Sequence, residues 1–460
     1  MLTSAVDDDS RVSFWPRVRE FAVPASMIER ATARRTAGDW AGACAAAGVE
    51  VDLHVRSLAR AYGQEPAARL RADLRHLAPD LLRWHLPRIA PHGVLRPGLT
   101  VALARYGAAA RDGTSALYLV ARTVPAWADA GQRISLAVWD GSGGDTPGQR
   151  YPHPHPHPHR RFRFDLHRHL WDVRRVGELP ARSTAPGWSA SGGPAPGPVP
   201  YADLLRGVPD GRRLAVGRWA DEARLLLGAD GVADGPVLVR AGSRHRFLVA
   251  PDGTITPAGA VRGGPVLPDA ATWVLPDLEL LRAGAIEGDR LHPLVAAALV
   301  PGRHGSSTTL SDKGVGPRLV ECRGAMHRIG LVGGVLAALD HDRDEIRREE
   351  LLAELTGTPL PCLQAIDRAH RHPNCLADIR ERLRHGDTGG ALTVVENLLG
   401  PGALLRDGAL REALESAARQ RVTYGLFRAG MTDPRSPRRE RPRPLPPSGR
   451  RSRPRHAHVH

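Results

Sequence analysis

Residues 99–141 read LTVALARYGAAARDGTSALYLVARTVPAWADAGQRISLAVWDG, and this stretch decides the fold. Three runs, 99–106, 115–124 and 133–139, are apolar or alternate with a period of two over strand lengths, with Gly-containing turns between them. A period of two sends successive side chains to opposite faces of a sheet, which a helix cannot do. A further run, RFRFDLHRHLW at 161–171, alternates in the same way and predicts another strand. Residues 94–182 are therefore expected to form an antiparallel β domain, a sheet or small sandwich. The His-Pro segment 141–160 reads as a loop inserted between two of its strands.

Working outward toward the N-terminus, the period changes to 3.6. MIERATARRTAG, WAGACAAAG, HVRSLARAYG, EPAARLRADLRHL and PDLLRWHLPRI make 24–93 a helical module behind a flexible 1–23. Ser26 and Glu29 stand at capping-box spacing, Gly38 then Asp39 can end one helix and cap the next, and Asp52 is placed to cap a third. Toward the C-terminus, 183–200 is a Pro/Gly/Ser linker, and 201–300 a mixed α/β segment with a hairpin in PVLVRAGSRHRFLVAPDGTITP. Residues 301–341 form a loop and a hairpin turning at Gly333-Gly334. Residues 342–430 give about five helices, an all-α C-terminal bundle. The Arg/Pro/His-rich 431–460 has almost nothing apolar to bury and is expected to be a disordered basic tail. The chain is thus an α+β multi-domain protein.

Composition narrows the function classes. The 460 residues are 42% hydrophobic and 25% charged, an ordinary globular balance. Lys313 is the only lysine, so the arginine content reflects coding bias more than phosphate chemistry. Of the net charge of +15, the tail supplies +7 (nine Arg against Asp433 and Glu440), leaving +8 on the rest. The N-terminus MLTSAVDDDSR lacks the apolar core of a secretory signal, and no apolar stretch reaches the ~20 residues that span a bilayer. Cys44, Cys322, Cys362 and Cys375 are too few for a disulfide framework. These features predict a cytoplasmic protein without membrane contact.

SMIERATARRTAGDWAGACAAAGVEVDL, LRHLAPDLLRWHLPRI, PAWADAGQRISLAVWDG, DLHRHLWDVRR and TGTPLPCLQAIDRAHRHPNCLADIRERLRHGDTGGALTVVENLLG resemble a family of uncharacterised proteins from high-GC Gram-positive bacteria. The resemblance covers most of 20–430 and excludes the His-Pro loop and the tail. That family carries no assigned activity, so the resemblance implies one coherent bacterial protein and transfers no functional residue. Inside the chain, ARRTAGDWAGA (33–43) echoes RLRHGDTGGA (382–391): a basic helix end, Gly-Asp, then a small-residue helix start. Two copies make no array, and they are read as independent corners with the same capping chemistry.

Five groups of residues invite a chemical reading. Cys362, His370, His372 and Cys375 offer the N/S donors that zinc takes, although C-x7-H-x-H-x2-C matches no standard module and the plainer reading is a packed helical turn. The His tracts 153–159 and 456–460 present imidazoles that can grip Ni or Zn loosely, or be a solvated loop and tail. Asp340, Asp342, Asp344 and Glu345 imitate the start of a calcium loop, but Glu345 and Leu351 occupy the positions that need Gly and Glu, which favours an acidic first helical turn. A helix-turn-helix across 41–63 would show Arg56 and Arg60 to a DNA groove, against plain helix packing. In the tail, Arg438, Arg439, Arg441, Arg450 and Arg451 can neutralise nucleic-acid phosphates, and Pro-x-x-Pro segments can dock on an aromatic groove.

Phosphate loop, nucleophile elbow, HExxH and CxxC signatures are all missing. An enzyme without a local signature would have to assemble residues far apart in sequence, such as His85, Asp165, His167, His169, Glu321 and His327. The leading expectation is a non-enzymatic protein-interaction or adaptor protein. The alternatives are a nucleic-acid-associated or regulatory protein and such an enzyme. Another protein is the expected partner, with no cofactor beyond zinc at the Cys/His set.

Overall fold

The structure, a computed structural model, describes residues 14–107, 116–141, 153–183, 213–242, 245–259, 263–301 and 318–431. The linker beyond Ser183 and the tail beyond Met431 lie outside the described residues, as does most of the N-terminal segment expected to be flexible. With about 49% helix and 18% strand in several small sheets, the fold is mixed α+β.

The chain opens with α1 (14–21), α2 (Ala25–Thr36), α3 (Trp40–Ala46), β1 (Val49–Val51), α4 (Val55–Tyr62), α5 (Gln64–His76) and α6 (Pro79–His85). A small hairpin, β2 (Arg88–Ile89) and β3 (Val94–Leu95), leads into β4 (Thr100–Tyr106), β5 (Leu117–Thr123) and β6 (Ile134–Trp139). β4, β5 and β6 pair antiparallel in sequence order, as the period of two predicts. β1 then adds to β6 in parallel, Val49 opposite Ile134, so the sheet order is β1-β6-β5-β4. Helices and sheet are one body: Leu70, Leu81 and Trp84 share a core with Val101, Leu119 and Leu136. The helices expected as a module of their own thus share their core with the sheet.

Residues 161–171 are not a strand. Leu166, His167 and Leu170 donate to the carbonyls three residues back, and a 3₁₀ turn follows at Arg168–Leu170. A single bridge, Arg163 to Ala102, touches the sheet. The alternating arginines are drawn to nearby carboxylates instead: Arg163 to Asp165 at 2.8 Å, and Arg168 to Asp73 and Asp172. Phe162, Phe164, Leu170 and Trp171 all enter the core.

After α7 (Leu179–Ser183), α8 (Trp219–Asp230) packs on an antiparallel sheet of β7 (Val237–Ala241), β8 (His245–Val249) and β9 (Ile255–Pro257) around Trp219, Val239 and Phe247. The short α9 (Asp269–Thr272) joins this core, whereas α10 (Pro276–Arg282) and α11 (Pro293–Leu299) return to the first one. Buried polar groups fix that return. The Trp84 indole and Arg19 donate to Asp277 at 3.1 and 3.0 Å, and His292 lies 3.0 Å from Asp80.

The last unit is a three-stranded antiparallel sheet, β10 (Arg318–Cys322), β11 (Ala325–Val332) and β12 (Val335–Ala338). It is followed by α12 (Arg343–Thr356), α13 (Pro361–Arg371), α14 (Leu376–His385), α15 (Thr388–Leu399) and α16 (Ala409–Arg428). The turn at Gly333-Gly334 is the expected one, with φ of 59° and 79°. Four of the five helices share their core with the sheet: Ile329 and Leu336 pack with Ile366, Ile379, Val395 and Leu410. α12 buries none of its residues.

Two capping expectations also change. α2 starts at Ala25 with Pro24 as its cap and no capping box, and Asp52 accepts from Arg428 of α16 at 2.7 Å instead of capping α4. The echoed corners are alike in detail: Asp39 accepts from Gly42 N at 2.8 Å and Asp387 from Gly390 N at 2.9 Å. Among the described residues no helix is long and apolar enough to cross a membrane.

Candidate metal centre

The last unit brings two of its three thiols together. Cys322 ends β10, and the turn at Arg323-Gly324, with φ of 55° and 79°, sends the chain back as β11. Strand alternation puts Cys322 on the inward face with Val320, which lies opposite His327. Cys362 enters from the first turn of α13, and His341 from the short link between β12 and α12. One ligand atom from each of Cys322, His341 and Cys362 lies within 4.8 Å of the others. Both cysteines are fully buried, and the His341 side chain is 3% exposed.

The histidine is oriented. Its Nδ1 faces Glu345 Oε2 at 3.2 Å, while its Nε2 is buried without a hydrogen-bond partner. Glu345 is itself held by Arg323 at 2.7 Å. A carboxylate on one ring nitrogen, with the other left free, is how metal-bound imidazoles are set in tautomer and direction. The His341 ring stacks on His327 with centroids 4.3 Å apart, and His327 Nδ1 is also buried and unpartnered. Burial and the neighbouring Cys322 thiol push the Cys362 thiol up to about 11, so without a cation it stays protonated. Two soft sulfurs and an imidazole suit zinc, and they do not suit calcium or magnesium.

The four expected ligands do not meet. Cys362 and His370 sit at opposite ends of α13, eight residues or about 12 Å of helix rise apart. His370 is buried and accepts from Arg406 N at 3.4 Å, His372 is the C-cap of α13, and Cys375 is the N-cap of α14. Only Cys362 belongs to the cluster, whose C-x18-H-x20-C spacing gives no local signal. Asp344 and Glu345 lie in the first turn of α12, not in a calcium loop.

The helix-turn-helix is not formed, because β1 occupies the place of the tight turn and pairs into the sheet. Arg56 and Arg60 are exposed on α4, whereas Arg438, Arg439, Arg441, Arg450 and Arg451 lie outside the described residues, with the 456–460 His tract. In the irregular tract His153–His159, His153 is buried, with Nε2 3.0 Å from Thr123 O, whereas His155, His157 and His159 are exposed. Of the scattered titratable residues, His167 and His169 do meet, with ring centroids 5.7 Å apart, and His167 lies 3.2 Å from Glu222. All three are sealed at no more than 4% exposure, so no substrate reaches them. Asp165 is spent on Arg163, and Glu321 and His327 belong to the last unit.

No protein family, curated protein or solved structure matches the chain.

Proposed function

We propose that this chain is a non-enzymatic interaction protein whose last unit is stapled by one zinc ion. The observation that carries the reading is the convergence of Cys322, His341 and Cys362 with His341 oriented by Glu345. Burial of the donors favours a closed, structural site over an open catalytic one. Such an ion would tie β10, the entry to α12 and the start of α13 together, where the apolar cluster of Cys322, Leu360 and Cys362 is small. A stapled frame suits partner binding. α12 carries Leu351, Leu352 and Leu355 in the open, and a groove of about 710 Å³ runs beside it, walled by Glu350, Glu354, Leu363 and Asp367.

Two measurements test the reading. Full-length protein purified without a metal-affinity column should carry about one zinc per chain by plasma mass spectrometry, lost in C322S and C362S. Folded, metal-free wild type would end the zinc assignment. In pull-downs from the native cell, a specific protein partner should be lost in L351E/L355E while the zinc content stays unchanged.

A further inference from the structure

A second cavity, of about 640 Å³, opens where the His-Pro tract crosses the end of β4 and meets β7. Four arginines line it, Arg96, Arg160, Arg161 and Arg240, together with His155, His157 and His159, and among the described residues no carboxylate lines it. Arg161 is neutralised by Asp269 through two hydrogen bonds of 2.8 and 3.0 Å. Arg96, Arg160 and Arg240 have no ion-pair partner among the described residues, and the Arg240 Nε is buried with no hydrogen bond at all. Arg240 also stands directly opposite Arg246 across β7 and β8, and Arg246 is unpaired as well among the described residues.

Like charges at directly opposed strand positions destabilise a sheet, and a guanidinium left without an acceptor in a partly buried wall adds to that cost. Arg96 and Arg160 are exposed and Arg240 half-buried, so the three guanidiniums, brought from separate segments, present an open cationic wall to an entering anion. The charge count and the shape narrow that anion. Three unpaired guanidiniums match about three negative charges, and a guanidinium fork binds phosphate oxygens in pairs. The volume lies in the ~300–1,000 Å³ range of small-molecule sites and exceeds the need of a phosphate chain alone. The rest of the wall is apolar and stiff, with Pro97, Pro156, Pro158, Leu238 and Val266. His157 is held edge-on to Trp139 at 5.5 Å, which fixes that rim.

We infer that this cleft binds a small organic di- or triphosphate, its phosphates on Arg96, Arg160 and Arg240 and its organic part against the prolines. The inference is independent of the zinc reading, since no residue is shared.

The test titrates the full chain in low-salt buffer with ATP, pyrophosphate and inorganic phosphate, by calorimetry. ATP should bind at one site per chain, pyrophosphate more weakly, and inorganic phosphate weakest. R160E, a change at an exposed residue, and R240Q should each weaken ATP about tenfold or more, whereas R450S/R451S in the tail should leave it unchanged. Absence of ATP binding, or binding lost in the tail variant and kept in R160E and R240Q, overturns the inference. Inorganic phosphate binding as tightly as ATP overturns its organic part. Single-stranded RNA that binds more tightly than ATP and displaces it overturns the small-molecule assignment.

Discussion

Arg83 joins the two ends of the protein, and its removal gives a quantitative test of the packing. The side chain is 2% exposed and donates to three backbone carbonyls: Ala22 O at 2.8 Å, Gln132 O at 2.7 Å and His385 O at 2.7 Å. The first two belong to the main body and the third to the end of α14. Burial pulls its pKa down to about 10, so it remains charged near neutrality. In R83M the stem is kept and the guanidinium removed. Three buried carbonyls then lack a partner at about 1–2 kcal/mol each, a loss of about 3–6 kcal/mol. Relief from burying a charge returns part of it, leaving a net cost of about 2–4 kcal/mol. For a folding body of about 150–250 residues that is a fall in Tm of about 4–16 °C. Differential scanning calorimetry reads the shift, and hydrogen exchange should show amides of α14 and α15 opening first, since their unit loses its buried tie. A variant melting within about 1 °C of wild type, with unchanged exchange in α14, would refute this account of how the last unit is held.

Other outcomes follow from the same contacts. E345Q removes the charge that orients His341 and should raise the zinc Kd about 10–100-fold in a chelator competition, while saturating zinc restores full stoichiometry. Stability should fall with acid: burial lowers His85 to about 4 and His385 to about 3, below the unfolded value of about 6.5. The unfolded chain therefore takes up protons first, and stability drops by roughly 2–3 kcal/mol per pH unit from pH 6.5 down to pH 4. Urea titrations at pH 7 and pH 5 check this, and H385F should lower the slope by about 1.4 kcal/mol per pH unit. The echoed corners should respond unequally to alanine. At Gly38 (φ +79°) a Cβ meets nothing, so G38A costs about 1 kcal/mol of backbone strain. At Gly386 the Cβ would lie 2.0 Å from Gly131 O, so G386A should lower Tm several times more in the same thermal scan.

The sheet was legible because its signal is local. In 99–141 each strand carries its own alternation, and β4, β5 and β6 appear where that pattern lies. The Gly-Asp corners were legible for the same reason, since Asp39 and Asp387 cap amides three residues away. Where the reading failed, a distant partner decided the outcome. Val49–Val51 is too short to announce a strand and becomes one only because β6 offers it an edge. Residues 161–171 have the alternation of a strand, but Asp73 and Asp230 draw Arg168 and Arg163 away from it. Helices and sheet were assigned to separate domains because a shared core leaves no mark on either pattern taken alone.

The metal cluster went unread for a related reason, visible at Arg323-Gly324. RLVECRGAMHRIG looks like one strand, as Arg-Gly is not a usual hairpin signal and a non-glycine residue at φ +55° is uncommon. At that turn Arg323 pairs with Glu345 and Glu349 on α12, more than twenty residues ahead. The same Glu345 orients His341. One carboxylate thus supports the turn that positions Cys322 and also aims the imidazole that faces it. Motif reasoning searches for donors a few residues apart, and it found four along α13 and its end, where helix rise keeps Cys362 away from His370. The donors that meet are spaced by two turns and a helix start, each set by tertiary contacts. The hairpin turn and the site are therefore linked through α12, the helix that has no buried residue of its own and carries both Glu345 and Glu349.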